Sequence, residues 1–130
     1  MRVVFDANVL VAALAFPGGK ADQALARVIA GAHRLVISVP VINEVLAVLA
    51  RKFGRDREAL ARVAVFLADV GEEIAATHHA TVLADEPDNR ILECAVSGDA
   101  DAIVTGDKAM LRLARYEDVP INTLREFLSL

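Results

Sequence analysis

Asp6 ends the apolar run RVVF, and Asp107 follows the apolar run AIVTG a hundred residues later. Between them, Glu44 lies four residues after Pro40, and Asp88 opens the segment DNRILECA. Taken singly, each acid has a bland role. Asp88 and Asp107 suit helix caps or first turns, where free N–H groups and the helix dipole stabilise a carboxylate. Glu44 suits a solvated first-turn position, and Asp6 a strand-end turn. Taken together they suggest a site. Carboxylates about 5 Å apart repel by roughly 3 kcal/mol per pair at an effective dielectric of ~20. A protein tolerates that when a cation neutralises the cluster or when some groups stay protonated. All-oxygen ligation points to a hard cation, Mg²⁺ or Mn²⁺, and away from zinc, which prefers His or Cys. His33, His78 and His79 show no metal-ligand spacing with Cys94, the only cysteine. Such an ion, keeping some of its waters, can orient one against a phosphodiester, and a second ion can stabilise the leaving oxygen.

The elements that would place these acids can be read from apolar runs and their stop signals. Arg2–Phe5, Leu35–Ser38, Asp101–Thr105 and Val119–Asn122 are short apolar strands, and Glu73–Thr77 is a weaker third strand in sequence order. Helices are expected over Asn8–Phe16, closed by Pro17-Gly18-Gly19, and over Asp22–Ala30, stopping at Gly31. Another opens at Pro40 and ends at Gly54, with Glu44 in its first turn. Further helices follow at Glu58–Ala68, Asp88–Ser97, Lys108–Ala114 and Leu124–Phe127. Strands that alternate with helices, and that are apolar throughout, imply a parallel sheet covered on both faces. The expected architecture is a three-layer α/β/α sandwich with about five strands, in one domain over residues 1–130. In such a sheet every strand's C-terminal end meets the next helix's N-terminus along one edge. All four acids fall on that edge.

Composition narrows the function classes. The chain is 55% hydrophobic and 25% charged, as a globular domain is. Its net charge of −4 argues against a surface that is wholly an electrostatic glove for nucleic acid. Yet Arg51, Lys52, Arg55, Arg57 and Arg62 crowd into twelve positions. They form either a solvated helix-turn-helix surface or a phosphate-contacting patch. The longest uncharged apolar stretch, Ala7–Phe16, is too short to cross a bilayer, and Asp6 interrupts any secretory h-region. A lone cysteine in an apolar helical stretch fits a buried thiol in a reducing cytoplasm. No GxGxxG, GxxxxGK[ST] or GxSxG motif occurs, so neither nucleotide cradle nor nucleophile elbow is supported. A phosphoacceptor receiver domain would want paired acids after the first strand, and Asp6 has no acidic neighbour.

VVFDANVL, the Glu four residues after a helix-opening Pro, DNRILECA and IVTGDKAML together resemble the PIN-domain nucleases. The similarity covers essentially the whole chain and is greatest to the VapC-type toxin branch. It implies that Asp6 is the first metal ligand, Glu44 the second acid, Asp88 the third and Asp107 the fourth, often acting through water. Asn8 would hold the first acid or touch substrate, and Thr105 is the hydroxyl residue two before the last acid. Asp85 competes with Asp88 for the third place; Asp88 is preferred because it directly precedes Asn89 and the helix. Glu93 would be at best a peripheral ligand. The resemblance further implies Mg²⁺- or Mn²⁺-dependent RNA cleavage, an antitoxin protein as partner, and a homodimer. There Arg51, Lys52, Arg55 and Arg57 would wall an RNA groove. A PIN-like nuclease for DNA or flap structures, or a non-catalytic partner-binding domain, are the alternatives.

Overall fold

The computed structural model describes residues 1–130. In chain order the elements are β1 (Arg2–Phe5), α1 (Ala7–Ala15), α2 (Lys20–Ile29), β2 (Arg34–Ile37), α3 (Val39–Phe53), α4 (Arg57–Val70) and β3 (Glu72–Glu73). There follow α5 (Glu86–Ser97), β4 (Ala102–Val104), α6 (Lys108–Leu113), β5 (Arg115–Tyr116), β6 (Val119–Asn122) and α7 (Leu124–Leu128). The sheet order is β3-β2-β1-β4-β6-β5, and every neighbouring pair is parallel except β5–β6. The sheet steps one way through β1, β2 and β3, then reverses to β4 and β6. Because parallel crossovers are right-handed, that reversal assigns α1–α4 to one face and α5 and α6 to the other. The expected parallel α/β architecture holds.

Apolar runs explain the layers. Val3, Val4, Phe5, Leu35, Val36, Ile37, Ile103 and Val104 are each at most 1% exposed, as both-face coverage demands. Behind them Phe5 meets Phe127 of α7 edge to face, with ring centroids 5.4 Å apart. α5 must come close to β2, and Gly98 at its end permits this: a Cβ there would lie 2.4 Å from Val36 Cγ1.

Two strands differ from expectation. The third strand is only Glu72–Glu73, paired with Val36 and Ile37, in place of Glu73–Thr77. Ile74 N–H still donates to Ile37 O at 2.8 Å, and the chain then leaves the sheet. Beyond that point its N–H groups go to side chains of α5, a set of bonds that no local pattern announces. A sixth strand, β5, was not expected. Residues 115–116 are too few to carry a period, and the hairpin depends on Glu117 at φ +52° to turn back into β6.

At the end of the sheet away from the acids, Glu72 holds Arg2 and Arg34 at 2.7 Å each. Arg2 also donates twice to Gly98 O, at 3.0 and 2.7 Å. The two guanidinium hydrogen bonds pull the Glu72 carboxyl down to about 2 from 4.5. A lowered folded-state pKa stabilises above the unfolded value and stops doing so as pH falls through the folded one. The thermal midpoint of wild type should therefore exceed that of Glu72→Gln by a constant gap above about pH 4.5. That gap should close as pH falls toward about 2. A gap independent of pH across that range would contradict the assignment.

Candidate functional site

β1 ends on Asp6, which is 3% exposed although ionisable. Its N–H still belongs to the sheet and donates to Val104 O at 2.9 Å, so the side chain is fixed by the strand itself. Thr105, fully buried after β4, donates Oγ1–H to Asp6 Oδ2 at 2.7 Å. The same hydroxyl oxygen accepts Asp107 N–H at 3.0 Å. One threonine thus ties the ends of two adjacent strands and spaces two acids. Asp107 caps α6, its Oδ2 accepting Met110 N–H at 2.9 Å.

Asp88 lies in the first turn of α5 and is 9% exposed. Burial, and then the charges of Asp107, Asp6, Asp85 and Glu44, push its carboxyl up to about 7. That list of charges is a map of the site: four other acids surround this one. Asp6 is also raised, first by burial, against the stabilising hydrogen bonds of Thr105 and the Asn8 backbone N–H. Asp85 is exposed at the N-cap of α5 and makes no side-chain cap bond. Of the two candidates for the third place, Asp88 is the buried one beside Asp6 and Asp107.

Some expectations shift. Glu44 is half-buried and sits in the second turn of α3, not the first, because the helix starts at Val39 and Pro40 is its second residue. The Asn8 backbone N–H favours the charged form of Asp6, and the Asn8 side chain is exposed. Glu93 takes no part in the acid cluster. Its carboxylate turns to Arg90 at 2.8 Å and to Ala80 N–H at 2.9 Å, which the 140° offset from Asp88 along the helix allows. No three His, Cys, Asp or Glu side chains are drawn tightly enough together to hold an ion as they stand. The donors that share the rim are all carboxylate oxygens, which suits a hydrated Mg²⁺ or Mn²⁺ that keeps several waters, and does not suit zinc.

The basic cluster lies elsewhere on the chain. α3 starts at the acid rim and runs away from it, so Arg51 is about 10 Å further along the axis than Glu44. Arg51 and Lys52 occupy the last turn of α3, where cations favour the helix dipole, and Arg57 opens α4. Arg55, between the helices, lines a shallow depression with Leu14, Arg62 and Phe66. Within one chain these cations do not wall the acidic rim.

Sequence reasoning gave no role to Asn89 and Ser97, and only a peripheral one to Glu93. Their signal was there: three polar residues at four-residue intervals, which share one stripe of a helix.

Comparison with known proteins supplies the family. The PIN-domain profile matches residues 2–109. No curated protein sequence matches the chain. Among solved structures, a chain from the complex described as VapBC2 from Rickettsia felis bound to a DNA fragment from their promoter superposes with a TM-score of 0.70. The match covers 95% of this chain and 98% of that one at 16% identity, so it is a likeness of fold.

Proposed function

This chain belongs to the PIN-domain family, and on that premise we propose that it is a divalent-metal-dependent endoribonuclease, the toxin component of a toxin–antitoxin pair. The observation that carries the reading is the gathering of Asp6, Asp88 and Asp107 on one rim, with the charges of the other two helping to raise Asp88.

Mg²⁺ or Mn²⁺ bound there would supply positive charge against a phosphodiester and orient a water for attack. The residues of the chain prepare for this in different ways. Asp6 is the rigid donor, locked by Thr105 and by the sheet. Asp107 uses Oδ2 for its cap bond, which leaves Oδ1 for the site. Asp88 would offer its carboxylate to such an ion, whose positive charge would offset the repulsion from its neighbours. Glu44 adds a half-buried carboxylate from α3, and the exposed Asn8 amide is free to meet substrate. Single-stranded or looped RNA fits an open rim, where bases can be splayed out.

The fold likeness to a toxin–antitoxin complex supports an antitoxin protein as partner. A homodimer, in which Arg51, Lys52, Arg55 and Arg57 would wall a groove shared by two acidic rims, is part of the same reading. No helix is long and apolar enough to cross a membrane. The buried Cys94 thiol, raised to about 11 by burial, is unreactive and consistent with a cytoplasmic setting.

The test is cleavage of a single-stranded RNA by purified protein in Mg²⁺, Mn²⁺ or EDTA, with DNA in parallel. Cleavage of RNA only with metal is the expected result. Cleavage of DNA alone would move the assignment to a DNA or flap nuclease. A second reading, a non-catalytic partner-binding domain, is favoured by the absence of a ready-made ligand set. It would prevail if neither substrate were cut and calorimetry showed no metal binding.

A further inference from the structure

Residues 74–85 join β3 to α5 without regular structure and lie along α5 as a strap. Backbone N–H groups outside secondary structure still need partners. Here they find them in a row of side chains. Thr77 N–H and His78 N–H both donate to Ser97 Oγ at 3.0 Å. Ala80 N–H donates to Glu93 Oε2 at 2.9 Å. Leu83 N–H donates to Asn89 Oδ1, and Asn89 Nδ2 returns a bond to Leu83 O, both at 2.9 Å. Asn89, Glu93 and Ser97 are spaced i, i+4, i+8 on one stripe about 12 Å long, which the strap descends in the opposite direction. Asn89 is fully buried and Glu93 is 7% exposed.

The last rung has a different consequence from the other two. α5 begins at Asp85, whose side chain makes no cap bond, so nothing in the cap itself fixes the helix entry. The Asn89 clamp on Leu83, two residues before that cap, does so instead. Asp88 is the residue next to Asn89 and lies in the same first turn. We propose that Asn89 is the positioning residue for the third carboxylate. Its two bonds to Leu83 set the first turn of α5 and aim Asp88 at Asp6 and Asp107, whereas Ser97 secures the strap without influence on the acids. The inference rests on the metal-site reading above and adds to it the group that orients one ligand. Residues that orient metal ligands without touching the ion typically alter affinity by 10–100-fold when removed.

The experiment is Mn²⁺ titration by calorimetry, with thermal midpoints, on wild type, Asn89→Ala and Ser97→Ala. Asn89→Ala should weaken Mn²⁺ binding at least about tenfold. Ser97→Ala, which also removes strap hydrogen bonds, should lower the midpoint yet leave Mn²⁺ affinity within about twofold of wild type, since its rung lies about 12 Å from Asn89. Unchanged affinity in Asn89→Ala would overturn the inference, and so would equal losses in both variants, because affinity would then follow stability and not position. Should Asn89→Ala fail to fold, Asn89→Ser, which retains one hydroxyl, serves in its place: it must lose affinity while Ser97→Ala does not. Wild type that binds no Mn²⁺ would instead overturn the metal-site reading itself.

Discussion

Asp6→Asn will remove RNA cleavage while leaving the protein folded. Asn keeps an acceptor oxygen for the 2.7 Å bond from Thr105 and nearly the shape of Asp, so the link between β1 and β4 persists. The variant loses one unit of negative charge at the most buried of the four acids. Loss of one preorganised electrostatic group at a reacting centre costs on the order of 10²–10³-fold in rate, about 3–4 kcal/mol of barrier. The fold should not suffer: burial raises the Asp6 carboxyl, so the charged form is already disfavoured in the native state. Cleavage assays in Mn²⁺ beside a urea denaturation curve would check both halves. A variant that cleaves RNA within about threefold of wild type would remove Asp6 from the ligand set, and with it the leading argument for a nuclease.

Asp88→Asn should raise stability in the absence of metal. In EDTA, wild type carries an Asp88 whose carboxyl is raised from 3.8 to about 7, by burial first and then by Asp107, Asp6, Asp85 and Glu44. For a raised folded-state pKa, the contribution to stability is full below the unfolded value and is lost as pH rises through the folded one. The metal-free protein should therefore become less stable between about pH 4 and pH 7, and remain so above. Asp88→Asn cannot ionise and should lack that loss. At pH 8 the variant should be more stable than wild type by roughly 2 kcal/mol, about half of what a rise from 3.8 to about 7 is worth in full, since solvent reaches the rim. Saturating Mn²⁺ should reverse the ranking, because wild type gains binding energy that the variant cannot match. Denaturation curves at pH 5 and pH 8, with EDTA or Mn²⁺, measure all four corners. Equal stabilities in EDTA at pH 8 would mean that neither burial nor the surrounding acids raise the Asp88 carboxyl. The trade has a general basis: groups arranged for function are commonly held at a cost to the fold.

The positions of Asp6 and Asp107 were legible in the sequence, because a buried parallel strand reads as an apolar run and the residue after it must lie on the C-terminal edge. The four core strands β1, β2, β4 and β6 were readable for the same reason. Glu44 was placed one turn too early, since a proline fits either of the first two helical positions and the boundary is soft. The basic cluster was identified as a cluster but not located. Whether it faces the acids depends on how the end of α3, the loop after it and the start of α4 pack, which is not a property of the segment itself.

What the sequence determined by itself is the set of elements with strong local signals: apolar strands, their polar stops, and the acids those stops present on one edge. Only the tertiary structure decided which side chains take up the strap's N–H groups, that β3 is two residues long, and that Glu93 faces Arg90 and not the rim. The strap's bonds join partners up to 20 residues apart, such as Thr77 and Ser97, whose meeting is fixed by how α5 packs across β2 at Gly98. Periodicity records the face a residue shows, whereas a hydrogen bond between distant segments exists only once packing has chosen the neighbour.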